Sequence, residues 1–150
     1  MSAHSRILPI ALVLLGEAAA AANAEPLVVI VNPESGVTQL TRAQVTDLFM
    51  GRQKRLGPGL VALPMEQMVP ATRSRFYLLL VNLPVPQIRA YWARLYFSGQ
   101  AQPPRQAETA EELIQMVAAN RGAIGFIEAS KLDKRVKGVL RLDDTGFREP

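Results

Sequence analysis

The chain has 150 residues, a formal net charge of +4, no cysteine and a single histidine, His4. Without cysteine there is no disulfide framework, thiolate metal site or thiol nucleophile. His4 falls in an expected leader, so imidazole general-base and zinc chemistry is lost with it. A basic balance this mild suits an anionic ligand or surface and is not a nucleic-acid signature.

From the first residue, Ser2–Arg6 is a weakly basic start, Ile7–Leu15 an apolar run, and Ala22-Asn23-Ala24 an A-x-A cleavage signal. This layout is that of a secretory signal peptide. The run is too short, and too soon interrupted by Glu17, for a stable membrane span. Residues 1–24 are therefore expected to be removed by cleavage after Ala24. Residues 25–150 are expected to act in the periplasm as one domain, with no membrane insertion after cleavage.

Leu27-Val28-Val29-Ile30-Val31 is continuously apolar and β-branched, which predicts a central strand covered on both faces. A turn at Glu34–Val37 follows. Thr41 is placed as the N-cap of a helix, Gln44 as its capping-box partner and Leu40 as a staple to Val45. This helix buries Val45, Leu48 and Phe49 and stops at Gly51. Arg52–Gly59 reads as a basic turn, Leu60–Pro64 as a short strand and Met65–Ala71 as a loop. From Thr72 the spacing of Phe76, Leu79, Leu80 and Leu83 predicts a second helix, broken at Asn82–Pro84. A third helix starts near Pro84 or Pro86, with Ile88, Trp92, Leu95 and Tyr96 as core. Gly99–Gln106 is an extended loop. A fourth helix begins at Thr109, with Glu112 closing a second capping box and Leu113, Met116 and Val117 buried.

At Asn120-Arg121-Gly122-Ala123-Ile124-Gly125-Phe126-Ile127 a helix ends and an apolar strand begins at once. Gly122 is expected in the left-handed conformation that closes the helix, and Gly125 at a position of close approach. Ala129–Lys134 is a turn or short helix, and Val136–Leu142 supplies a last strand. Strands separated by helices give an α/β sheet of about four short strands with helices on both faces.

Thr72-Arg73-Ser74-Arg75 is the leading candidate site, read as a helix start after a strand. Free backbone amides, the positive end of the helix dipole, two hydroxyls and two arginines would suit an oxyanion. The same residues also read as an ordinary capped helix with solvated arginines. Ser35-Gly36 is a second anion cradle by position and a plain turn by composition. Arg52, Lys54 and Arg55 read either as lining for that cleft or as a solvated helix end. The carboxylates do not converge in sequence, and no D-x-D loop, P-loop or G-x-S-x-G is present. No catalytic group, metal or cofactor is assigned, and no nucleophile with its base can be assembled.

Leu40-Thr41-Arg42-Ala43-Gln44-Val45-Thr46-Asp47-Leu48-Phe49-Met50-Gly51 resembles the helix ending in I/F-x-x-G of the phosphate periplasmic binding proteins of ABC transporters. Gly122-Ala123-Ile124-Gly125-Phe126 is similar to their P-G-A-I-G-Y strand. Tyr91–Gly99 with Pro103-Pro104-Arg105 is similar to a small exported subgroup described as phosphate-binding-protein-like. The resemblance spans roughly residues 27–130. It implies a single small lobe of the type II periplasmic-binding-protein fold, where full-length members close two lobes around phosphate. Their R-x-D-G-S-G-T anion loop falls here on Met65–Ser74. Thr72 and Ser74 stand for its hydroxyls, Arg73 takes the place of a glycine, Glu66 falls near the place of the arginine, and the aspartate is missing. The resemblance thus implies a solute-binding-like module for phosphate or a related oxyanion, open-faced and modest in affinity, working with an ABC permease in uptake or with an envelope sensor. The alternative is an accessory domain that has lost its ligand and docks on a sensor, secretion or transporter partner.

Overall fold

A computed structural model describes residues 24–147. The expected signal peptide, residues 1–24, therefore lies almost entirely outside the described residues. Strand β1 (Leu27–Val31) is followed by helix α1 (Arg42–Phe49), the short strands β2 (Arg55–Gly57) and β3 (Leu60–Val61), and β4 (Leu63–Gln67). Helices α2 (Pro70–Val81) and α3 (Val85–Phe97), strand β5 (Arg105–Ala107), helix α4 (Ala110–Ala119) and strands β6 (Ala123–Glu128) and β7 (Lys137–Leu142) complete the chain, with 3-10 turns at Ala129–Lys131 and Asp144–Phe147.

Five strands form one sheet in the order β5-β4-β6-β1-β7, and β2 and β3 pair separately as a hairpin. This exceeds the four strands expected by β5, at the end of the expected Gly99–Gln106 loop and too short to carry a periodicity signal, and the expected Leu60–Pro64 strand is divided between β3 and the start of β4. The sheet is mixed. β4 runs parallel to β5 and β6, whereas β1 runs antiparallel to β6 and β7. Every residue of β1 is buried because helices cover both faces. Val29 and Val31 face a core shared with α1, α2 and α3; Val28 and Ile30 face a second core shared with α4. Phe76 stacks on Phe126 with ring centroids 3.7 Å apart, and Phe49 meets Phe76 edge-on at 4.9 Å. These rings bind α1 and α2 to the sheet through stacked and edge contacts.

Helix α1 starts as the sequence indicates. Thr41 Oγ1 accepts from the Gln44 N–H, and Gln44 Oε1 accepts from the Thr41 N–H. The first contact of α4 is likewise Thr109 Oγ1 accepting from the Glu112 N–H, but the Glu112 carboxylate accepts from Glu108 rather than from the cap itself. Helix α2 begins two residues before the expected Thr72. Pro70 occupies its first turn, where the missing proline N–H costs no hydrogen bond. Of the expected loop at Met65–Ala71, Met65–Gln67 form the end of β4, and Pro70 and Ala71 open α2.

Two further expectations are corrected. Gly122 is not left-handed; α4 is closed instead by Asn120, whose Nδ2 donates to Met116 O at 2.7 Å. Glycine is required at 122 because a Cβ there would lie 2.1 Å from Val61 O. Gly125 does allow close approach, since a Cβ would lie 2.6 Å from Leu113 Cδ2 of α4. Trp92 is buried in the core, but Tyr96 is 58% exposed and meets the exposed Phe97 edge-on. Both belong to the last turn of α3, where helical spacing continues after the covering elements have ended.

Candidate functional site

β4 delivers the chain to the first turn of α2 at one end of the sheet. Pro70 has no N–H, the Arg73 N–H bonds to Val69 O at 2.9 Å, and the Ala71 and Thr72 N–H groups between them have no intrahelical acceptor. β6 ends beside this turn, since β4 and β6 are parallel and Gln67 Nε2 donates to Phe126 O at 3.1 Å. β1 runs the other way, so its first residue, Leu27, opposite Glu128, and the residues just before it lie at the same end.

The four candidate residues on α2 do not converge. Successive helical residues are rotated by about 100°, so Thr72 and Arg75 share a face while Arg73 and Ser74 turn elsewhere. Thr72 Oγ1 donates to Glu128 Oε1 at 2.6 Å. Arg75 Nη1 donates to Glu25 O, and Arg75 Nη2 lies 3.5 Å from Asp144 Oδ2. Arg73 is directed to the opposite side, where Nη2 donates to Glu66 Oε1 at 2.9 Å. Ser74 is half-buried.

Ser35 and Gly36 lie at the other end of the sheet, because β1 is antiparallel to β4 and its C-terminal end faces away from α2. There the Ser35 N–H bonds to Asn32 O, Ser35 Oγ accepts from the Val37 N–H, and Gly36 has φ +80°. These are the bonds of a turn. Two of the three basic residues after α1 are also engaged: Arg52 Nε donates to Asp47 at 2.9 Å, and Lys54 Nζ to Gln100 O at 3.2 Å.

Two internal carboxylates organise the α2 region. Glu128 ends β6 and faces Thr72, with Lys131 Nζ 3.5 Å from its other oxygen. Burial opposes its ionisation. The Thr72 hydroxyl, its own backbone N–H and the positive charge of Lys131 outweigh that cost and hold the carboxyl below the usual glutamate range. Glu66, in β4, is buried and accepts from both Arg73 and Tyr77, the latter at 2.6 Å. Burial, followed by the negative charge and hydrogen bond of Glu66, pushes the Tyr77 phenol well above its ordinary value, against the opposing charge of Arg73.

Sequence reasoning located Glu66 only by its position in a resembling loop, and it missed Tyr77 and Glu128. A signal for the first pair was available. Arg73 and Tyr77 are four apart on one helix and must point the same way, toward an acid in the strand just before. Glu128 had none, since its partner is 56 residues away. Among the described residues no group of three His, Cys, Asp or Glu side chains could hold a metal.

The architecture is that of a small single lobe of a periplasmic-binding-protein-like α/β fold. It is similar to a phosphate-bound protein of the ABC-transporter substrate-binding type from Clostridium perfringens, with TM-score 0.61 and 17% identity over 77% of this chain and 44% of that one. An ABC-type phosphate transport receptor from Vibrio cholerae matches with TM-score 0.60 and 20% identity, over 77% and 45% of the two chains. PstS from Borrelia burgdorferi matches with TM-score 0.57 and 16% identity, over 77% and 46%. The chain thus spans less than half the length of the structures it matches. No protein-family profile matches it, and no curated protein is matched by sequence. No helix among the described residues is long and apolar enough to cross a membrane.

Proposed function

We propose that this protein is a solute-binding-like module of the periplasm that takes a small inorganic oxyanion, phosphate or a relative, at the first turn of α2. One observation carries the reading: the hydroxyl of Thr72, in the first turn, holds the Glu128 carboxylate at 2.6 Å. The first turn already accommodates an oxyanion, and it is the protein's own. Thr72 supplies a donor to it and Lys131 positive charge beside it, as an anion at a helix start requires.

Affinity follows from the same arrangement. A solute anion must displace Glu128 or sit against it, and one open-faced lobe does not exclude water, so binding is expected on the order of millimolar. The fold's likeness to phosphate-binding transport proteins favours this reading over an accessory docking domain. It also supports a non-enzymatic role, with delivery to an ABC permease or an envelope sensor as the use of the bound anion.

Calorimetry with phosphate tests the reading. Saturable heat with the unmodified protein that is weakened in Thr72→Val is expected. Absence of heat and of any thermal shift at millimolar phosphate would overturn it.

A further inference from the structure

A cavity of about 270 Å³ opens on the side of the molecule to which Arg73 is turned, between β4, β5 and α3. It is separate from the first turn of α2 that faces Glu128. Its floor is the Arg73–Glu66 pair. Arg89 stands at its exposed edge, and Ile88, Trp92, Tyr96 and Pro103 supply an apolar wall containing two aromatic rings.

The polar groups here are mostly donors. Each oxygen of Glu66 accepts one hydrogen bond, from Arg73 and from Tyr77, with side-chain exposures of 5% for Glu66 and 12% for Arg73. Arg73 Nε and Trp92 Nε1 are buried with no hydrogen-bond partner, so neither opens onto the cavity. Arg73 Nη1 makes no hydrogen bond yet is not among the buried unpartnered atoms, so it keeps access to the cavity. Arg89 forms no ion pair among the described residues. The donors with access here, Arg73 Nη1 and the Arg89 guanidinium, therefore have no acceptor of the protein's own and are open to one from outside.

We infer that this cavity is a second binding site, one for a small organic carboxylate with a flat apolar body. The carboxylate would lie between Arg73 and Arg89, where guanidinium donors meet planar anions in matching geometry. The apolar body would lie along Trp92 and Tyr96. An inorganic anion satisfies the donors alone and leaves the apolar wall uncovered, so the site discriminates by shape as well as charge.

Trp92 is the protein's only tryptophan, so its fluorescence reports on this cavity. Benzoate titrated into the intact protein is expected to give a saturable change in Trp92 emission. Benzamide, which lacks the charge, and phosphate, which lacks the apolar body, should not give it at the same concentrations. Arg89 and Ala93 are exposed, so changing them leaves the core intact. Arg89→Ala is expected to weaken benzoate roughly tenfold through loss of a charge-assisted contact, and Ala93→Leu to weaken it by filling the cavity. The inference is overturned if benzoate gives no saturable change, if benzamide or phosphate reproduces it, or if both variants bind benzoate as the unmodified protein does. Phosphate binding at Thr72 does not enter these readouts, so failure here leaves that reading to its own test.

Discussion

Replacing Arg73 by methionine separates a structural arginine from a solvated ligand arginine. The Glu66 carboxylate is 5% exposed and is held by two donors, Arg73 at 2.9 Å and Tyr77 at 2.6 Å. Removing one member of a buried ion pair costs about 3–5 kcal/mol, because the other charge stays buried without its counterion. Tyr77 remains as a donor, which places Arg73→Met at the low end, about 3 kcal/mol. With a urea m-value of about 1.5 kcal/mol/M for a small domain, the unfolding midpoint falls by about 2 M at unchanged slope. Adding Glu66→Gln to Arg73→Met removes the stranded charge and keeps an acceptor for Tyr77, so part of the loss returns. Urea unfolding followed by Trp92 fluorescence measures both. A midpoint shift below about 0.5 M for Arg73→Met, with no recovery in the double variant, would refute the reasoning.

The remaining predictions concern local geometry and pH. Gly122→Ala places a Cβ 2.1 Å from Val61 O, so the joint between β3 and β6 must shift; a loss of about 1–3 kcal/mol in urea unfolding is expected, and an unchanged midpoint would contradict the packing. Thr41→Ala removes the N-cap of α1 and is expected to lower stability by about 0.5–2 kcal/mol, with Thr41→Ser retaining most of it. The raised Tyr77 phenol contributes stability below the unfolded tyrosine value and loses it as pH rises through its folded value; Tyr77→Phe should flatten the alkaline limb of a stability-against-pH curve, and an unchanged limb would contradict this.

The central strand, the capped helix α1 and the Gly125 contact were legible in sequence because each rests on local chemistry: an unbroken β-branched run, a Thr-x-x-Gln box, a glycine within a buried strand. The alternation between two cores is likewise written in β1 and β6. The site was less legible for one physical reason. Thr72, Arg73, Ser74 and Arg75 are adjacent in sequence, but helical rotation sends them to different faces, and their partners Glu128, Glu66 and Glu25 come from strands and termini brought in by the sheet. Strand direction decided the rest. A parallel β1 would have brought Ser35-Gly36 beside α2; the antiparallel one carries them to the far end. Gly122 was identified as important for the wrong reason: the carbonyl that crowds it, Val61 O, lies in a strand read from the sequence, but nothing local brings that strand against residue 122.

The most direct test compares phosphate affinity, by calorimetry, in the unmodified protein and in Glu128→Gln. Glutamine keeps an acceptor for the Thr72 hydroxyl but removes the competing charge. Loss of a like charge beside the bound anion is expected to tighten phosphate about tenfold, equivalent to about 1.4 kcal/mol. Equal affinity in the two proteins, or no phosphate heat in either at millimolar concentration, would contradict an anion site at the first turn of α2.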